Sequence, residues 1–81
     1  MFKQEPMQPY KDLQGHSGIV AYRAGCESID IEFRGGGRYR YTYRLPGPEH
    51  VESMKLLAAE GRYLATYINQ HVRNRYAVRL R

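Results

Sequence analysis

The most constraining feature of this sequence is the stretch of residues 28–44, where large apolar and polar side chains alternate on both sides of three glycines. The apolar series is Ile29, Ile31, Phe33, Tyr39, Tyr41 and Tyr43. The polar series between them is Asp30, Glu32, Arg34, Arg38, Arg40, Thr42 and Arg44. A period of two is typical of half-buried strands, and glycines 35–37 favour a tight turn, so the stretch predicts a β-hairpin.

The alternation also limits how the two strands can pair. Residues directly opposite each other share a face, so only a loop with an odd number of residues keeps the isoleucines and tyrosines together. A three-residue loop of glycines 35–37 satisfies this condition. It predicts the apolar pairs Phe33–Tyr39, Ile31–Tyr41 and Ile29–Tyr43. It predicts the polar pairs Glu32–Arg40, Asp30–Thr42 and Arg34–Arg38.

The flanking segments predict one more strand and two helices. Residues 17–23 are rich in strand formers and precede the hairpin, which makes a three-strand meander. Pro48 and Gly61 are suited to the start and end of a first helix. Its apolar face comprises Val51, Met54, Leu57 and Ala58. A second helix over residues 62–73 has a stripe of Leu64, Tyr67, Ile68, His71 and Val72.

These elements predict an α+β fold, in which two helices pack on one face of a three- to four-stranded antiparallel sheet. Residues 1–14 contain Pro6 and Pro9 without a sustained period, and they are interpreted as a flexible or strap-like arm. Residues 15–81 form the single domain. Residues 75–81 alternate again, with Tyr76, Val78 and Leu80 on one side, and are compatible with an edge strand or with a frayed basic tail.

The amino-acid composition favours some classes of function and disfavours others. The 81 residues carry a net charge of +5 and include eight tyrosines, and arginine with tyrosine is common where proteins meet nucleic acids or other proteins. Cys26 is the only cysteine, which excludes an internal disulfide and favours the cytoplasm. No apolar run is long enough to span a bilayer, so a membrane partner is not expected.

No catalytic or cofactor motif is evident. His16, His50 and His71 lack metal-ligand spacing, and His71 on the apolar stripe is interpreted as an interior imidazole. Cys26 has no basic neighbour in sequence beyond Arg23, which disfavours a catalytic thiolate. The sequence therefore predicts a protein that is not an enzyme and that needs neither a metal nor another cofactor.

In residues 22–76 the chain resembles the KTSC domain, a small module found at the C-terminus of some lysyl-tRNA synthetases and as stand-alone bacterial or phage proteins. The resemblance rests on residues 29–34 before the glycines, Tyr39-Arg40-Tyr41, Pro46, Gly61-Arg62-Tyr63, and Arg73-Asn74-Arg75-Tyr76. It implies an α+β fold and an RNA-binding role.

Two functional hypotheses follow. The first is a small nucleic-acid-binding module that favours RNA over DNA and contacts phosphates without sequence preference. Its phosphate contacts are Arg38, Arg40, Arg44, Arg73, Arg75, Arg79 and Arg81, and its stacking residues are Tyr43 or Tyr76. Glu32 and Asp30 would neutralise part of this positive surface, and Tyr39, Tyr41 and Tyr43 are interpreted chiefly as core residues, of which Tyr43 is the most exposed.

The second hypothesis is a protein-binding adaptor or inhibitor that docks on a nucleic-acid-processing machine, and a phage is one origin that the sequence leaves open. A small domain with an open sheet and no catalytic chemistry fits this role equally well. The sequence leaves open whether the chain is a monomer or a dimer that pairs through a strand edge.

Overall fold

The structure is a computed structural model that describes residues 6–81. Its strands are β1 (Gln8–Pro9), β2 (Ile19–Ala24), β3 (Ser28–Phe33), β4 (Arg38–Thr42) and β5 (Val78–Arg79). Its helices are α1 (Pro48–Glu60) and α2 (Leu64–Tyr67), and α2 continues directly into a π-helical turn, the π-segment (Ile68–Val72). We refer to α2 and the π-segment together as the second helix.

The strands form one antiparallel sheet in the order β1-β2-β3-β4-β5, and both helices lie in the connection between β4 and β5. The predicted α+β class is confirmed, but the sheet has five strands rather than three or four. The N-terminal arm supplies β1 and the C-terminal segment supplies β5, each with only two residues. Residues 1–5 of the predicted arm lie outside the described part of the chain.

The central hairpin has the predicted parity but a different register. Ile29 lies opposite Tyr41 and Ile31 lies opposite Tyr39. The N–H of Phe33 donates to the carbonyl of Gly37 at 2.8 Å, so the three-residue loop is formed by residues 34–36 rather than 35–37. The predicted pairs Phe33–Tyr39, Ile31–Tyr41 and Ile29–Tyr43 are therefore wrong by two residues, although the same side chains share a face.

Cross-strand charge explains this choice of register. Asp30 lies opposite Arg40, and Glu32 lies opposite Arg38. The predicted alternative would have placed Arg34 opposite Arg38, and like charges facing each other destabilise a strand pair. The predicted pairs Glu32–Arg40, Asp30–Thr42 and Arg34–Arg38 are accordingly replaced by two pairs of opposite charge.

The core lies between the sheet and the helices. The sheet contributes the buried residues Ile19, Ile29, Ile31 and Tyr41. The first helix contributes Val51, Met54 and Ala58, and the second helix contributes Leu64, Ile68 and Val72. Apolar burial of this kind contributes roughly 25 cal/mol per Å². The predicted apolar faces of both helices therefore meet the isoleucine and tyrosine face of the sheet.

The π-segment explains one error in the sequence analysis. Arg73 N donates to Ile68 O at 2.6 Å, which closes a turn that is wider than an α-helical turn. In the wider turn Ile68 and Val72, four residues apart, both stay buried, whereas His71 is exposed. The interpretation of His71 as an interior imidazole is wrong because the change of period turns it away from the core.

The N-terminal arm is attached to the junction between the two helices. Tyr10 is buried, and its hydroxyl accepts a hydrogen bond from Leu64 N at 3.4 Å. Leu13 N donates to Gly61 O at 2.7 Å. Gly61 ends α1 with φ of 82°, and its N–H donates to Leu57 O at 2.9 Å. A Cβ at Gly61 would lie 2.6 Å from the Lys11 Cβ, so the arm needs glycine at this position.

We expect Gly61→Ala to lower the free energy of unfolding by about 2–3 kcal/mol, because the left-handed backbone strain adds to a collision with an atom fixed to the arm backbone. Gly18→Ala is the matched control, since Gly18 has a φ of 81° and open space around its Cβ position. We expect the control to cost only about 1 kcal/mol. Urea denaturation measures both values, and equal losses would contradict the close packing of the arm against Gly61.

Candidate nucleic-acid interface

The open face of the sheet, opposite the helices, carries a buried carboxylate between two arginines. Asp30 is only 3% exposed. Arg23 Nη2 lies 2.7 Å from Asp30 Oδ2, and Arg40 Nε lies 2.8 Å from Asp30 Oδ1. The register aligns Asp30 on β3 with Arg23 on β2 and with Arg40 on β4, so the cluster joins three strands.

The charge state of Asp30 reflects two opposing effects. Burial raises the pKa of the carboxyl, but the hydrogen bonds and charges of Arg40 and Arg23 outweigh burial and hold the net pKa below its usual range. The same hydrogen bond raises the pKa of Arg40. The cluster is therefore charged at neutral pH, and its role in the sheet is structural.

Two of the predicted phosphate contacts are occupied by these internal pairs. Arg40 bonds to Asp30, and Arg38 Nη2 lies 2.9 Å from Glu32 Oε1. Their side chains are only 25% and 30% exposed for Arg38 and Arg40, respectively. Arg44 is exposed but lies in the turn after β4 rather than within the strand. The open face therefore presents a smaller free positive charge than the count of its arginines indicates.

The C-terminal arginines are more exposed than Arg38 and Arg40. Arg73, Arg75, Arg79 and Arg81 are all exposed. Arg73 Nε, Arg75 Nη2 and Arg79 Nε donate to backbone carbonyls, at 3.2, 2.9 and 3.2 Å. Within residues 6–81, no salt bridge involves any of the four. Their charges thus stay available to an anionic ligand.

The side chains of β5 lie on the opposite faces of the sheet from those predicted. Arg79 lies opposite Tyr39, and Val78 lies opposite Arg40. Val78 therefore shares the charged face, and the prediction that places it with Tyr76 on the side away from the arginines is wrong. The Arg79 guanidinium lies 5.6 Å from the centroid of the Tyr39 ring, within the range of a cation–π contact.

An open cleft of about 600 Å³ lies where the end of the second helix meets β4. Its aromatic lining consists of Phe33, Tyr39, Tyr41 and Tyr76. Its polar lining consists of Asn69, Arg73 and Asn74, and the buried Ile68 completes the lining. We call this site the aromatic cleft. It combines flat rings, amide groups and one cation, which are the groups that bind unpaired nucleobases.

The rings of the aromatic cleft support one another. Tyr39 and Tyr76 have centroids 4.6 Å apart at 47°, and Tyr76 meets Tyr41 edge-on at 6.4 Å. Tyr41 is buried, and burial, with smaller contributions from Tyr39 and Tyr76, raises its pKa to about 12. Its hydroxyl therefore stays protonated at neutral pH and can donate a hydrogen bond.

The two predicted stacking residues are separated by the structure. Tyr76 lines the aromatic cleft. Tyr43 lies in the turn after β4, and its hydroxyl donates to Glu52 Oε2 of α1 at 2.7 Å, so it is not part of the cleft. Of the predicted phosphate contacts, Arg73 lines the cleft and Arg79 stacks on one of its rings.

The sequence pattern does not indicate Phe33, Asn69 or Asn74 as site residues, and it predicts Tyr39 as a core residue. Tyr39 does pack against the core, yet its half-buried ring also lines the cleft. Asn74 lies in the segment 73–76, which carries part of the resemblance to the KTSC domain. This resemblance could have indicated Asn74 as a site residue. Phe33 and Asn69 had no comparable signal.

A second, more polar cleft of about 270 Å³ lies between the N-terminal arm and the start of the second helix. Asp12 of the arm and the following residues His16 and Ser17 contribute to its lining, and the second-helix region contributes Arg62, Thr66 and Asn69. We call it the polar cleft. Asn69 lines both clefts, so the two sites are neighbours on one surface.

Comparisons with known proteins give no relative. No family model, curated protein or solved structure matches this chain. The resemblance to the KTSC domain thus stays a prediction, and the site has to be interpreted from its own geometry.

Two features of the described residues bear on other kinds of site. No three histidine, cysteine, aspartate or glutamate side chains in residues 6–81 come together in a way that could hold a metal ion. Over the same residues, none of the helices has the length and apolar character needed to cross a bilayer.

We expect Asp30→Asn to lower the free energy of unfolding by about 2–3 kcal/mol at pH 7, because it removes the charge of the carboxylate to which two partly buried guanidinium groups bond. Glu32→Gln is the matched control and should cost about 1 kcal/mol or less, since its ion pair with Arg38 is more exposed. Chemical denaturation measures both. Equal effects of the two substitutions would contradict a central role for Asp30.

The same variant tests the depressed pKa of Asp30. A carboxyl whose pKa is lower in the folded state stabilises the fold above its unfolded pKa, and this contribution is lost as the pH falls through the folded value. We therefore expect the stability difference between wild type and Asp30→Asn to be constant at neutral pH and to shrink below about pH 4. A stability difference that stays constant down to the pH of acid unfolding would contradict the lowered pKa of Asp30.

Proposed function

We propose that this chain is a small, non-enzymatic RNA-binding module whose aromatic cleft takes an unpaired base. The observation that carries the proposal is that Arg73 lines the cleft and Arg79 stacks on one of its rings, while neither forms a salt bridge within the described residues. Stacking on the rings binds bases with little sequence preference, and the arginines attract phosphates.

The aromatic lining of the cleft favours a single strand over a duplex. A base inside a double helix has both faces covered by its neighbours, so only an unpaired base can stack on the rings of the cleft. Asn69 and Asn74 provide amide donors and acceptors for the edge of the base. Arg73 and Arg79 lie at the cleft, and Arg75 and Arg81 lie next to them in sequence.

The contribution of the sheet arginines is smaller in this proposal than in the sequence analysis. Arg38 and Arg40 would have to exchange an internal carboxylate for a phosphate, and Asp30 and Glu32 would repel that phosphate. Arg44 remains a more distant contributor to the positive field. The interface is therefore centred on the C-terminal arginines.

The adaptor hypothesis has less support from the geometry. Docking by strand addition uses the free backbone of an edge strand, and each sheet edge here is only two residues long. The edge strand β1 also contains Pro9, which lacks a backbone donor.

The exposed thiol of Cys26 suits a reducing compartment, and we propose the cytoplasm as the place of action.

We expect the chain to bind a single-stranded hexaribonucleotide with a strong dependence on salt. Arg73→Ala and Arg79→Ala should each reduce the slope of log K against log salt by about 0.7, the value for one lost phosphate contact on a single strand. Arg44→Ala is the charge-matched control and should change the slope less. Fluorescence anisotropy between low and moderate salt measures the slopes. Absence of binding to any nucleic acid at low salt would overturn the proposal.

We expect Tyr76→Leu to weaken binding of the same hexaribonucleotide by about tenfold, because one stacking ring is lost. Tyr76→Phe keeps the ring and should bind within about twofold of wild type. Circular dichroism and thermal unfolding must show both variants folded, since Tyr76 also packs against Tyr39. Equal affinity of the two variants would contradict base stacking at this position.

Affinity capture from a host lysate with and without nuclease compares the two classes of function. The RNA-binding proposal predicts that captured material is lost after nuclease treatment. A stoichiometric protein that stays bound after nuclease would favour the adaptor instead.

A further inference from the structure

The aromatic cleft and the polar cleft are adjacent, and their shared residue indicates how they are related. Asn69 lies in the π-segment and lines both clefts, with Arg73 and Asn74 on one side and Thr66 and Arg62 on the other. The two clefts therefore adjoin at Asn69, with the aromatic rings in one and most of the polar groups in the other.

Backbone conformation gives a second, independent observation. Four residues other than glycine have positive φ in the described part of the chain, namely Asp12, His16, Tyr63 and Arg73. Three of them line the polar cleft and the fourth lines the aromatic cleft. Such conformations cost about 1–3 kcal/mol each in general and are concentrated at binding sites. Every such residue of the described chain thus lines one of the two clefts.

The polar cleft has the groups that a ribose and its phosphate need. Arg62, Ser17 and Thr66 supply donors for phosphate oxygens. Asp12 supplies a carboxylate, which accepts hydrogen bonds but cannot donate one when it is ionised. Asp12 and Tyr10 both line this cleft. Burial raises the pKa of Tyr10, the bond from Leu64 opposes this rise, and the charge of Asp12 adds to it.

We infer that the two clefts form one binding groove for two consecutive nucleotides of a single strand, in which Asp12 accepts a hydrogen bond from a ribose 2′-hydroxyl. This inference rests on the proposed function and extends it from a base-binding cleft to a site of defined length. The 2′-hydroxyl is the group that distinguishes RNA from DNA, so Asp12 provides the preference for RNA. A deoxyribose would leave the carboxylate without this partner.

The test uses the full chain labelled with ¹⁵N and three probes: adenosine monophosphate, the ribodinucleotide ApA and its deoxy counterpart. We expect ApA to shift the amide signals of both clefts, including those of Tyr76 and Thr66. Adenosine monophosphate should shift only the aromatic cleft and bind at least about tenfold more weakly. The deoxy dinucleotide should bind about tenfold more weakly than ApA, the effect of one hydrogen bond to a charged group.

The decisive variant is Asp12→Asn. Asparagine tolerates the positive φ of this position, so the fold should be retained. We expect the preference for ApA over the deoxy form to fall to about twofold or less, with binding of adenosine monophosphate unchanged. Glu27→Gln, an exposed acid in the turn between β2 and β3, is the charge-matched control and should keep the tenfold preference.

The outcomes separate the two proposals. Shifts from ApA that are confined to the aromatic cleft, or a preference for RNA that survives in Asp12→Asn, would overturn the two-nucleotide groove while leaving RNA binding intact. Absence of binding by all three probes and by the longer hexaribonucleotide would overturn the proposed function together with the groove.

Discussion

The constraint on which the structure depends is the separation of apolar and charged side chains across β3 and β4. Ile29, Ile31 and Tyr41 face the helices, while Asp30 and Arg40 face the other way. This separation requires an odd number of loop residues, because a change of one residue would move every side chain of one strand to the opposite face. The helices can then cover one side, and the other side satisfies its charges within the sheet.

The sequence was sufficient to predict this separation but not the register. A run of three glycines permits more than one three-residue loop, and loops 34–36 and 35–37 both keep the apolar residues together. The pairs Asp30–Arg40 and Glu32–Arg38 distinguish the two alternatives, since the other one opposes Arg34 to Arg38. A requirement that opposite charges pair across the two strands would have selected the observed register from the sequence.

The candidate site was less accessible to prediction, because it depends on how segments distant in sequence meet. Arg73 and Tyr76 were identified from residue type, but their neighbours Phe33 and Asn69 are brought to them by the π-segment and by the pairing of β5 with β4. A π-helical turn has no reliable sequence pattern. A two-residue strand is too short to show which of its side chains faces the core, and for this reason the side of Val78 was predicted wrongly.

The attachment of the C-terminal segment has a consequence for the motions of the molecule. Ala77 N donates to Arg40 O at 2.8 Å and Leu80 N donates to Arg38 O at 2.7 Å, and these few bonds hold the segment against β4. The fully buried core residues lie in other elements, and the segment adds the partly buried Tyr76 to them, so the segment can detach in a local opening that leaves the rest folded. Amide hydrogens at Ala77 and Leu80 then exchange with solvent sooner than those of β3, and a ligand that bridges Tyr76 and the second helix slows their exchange.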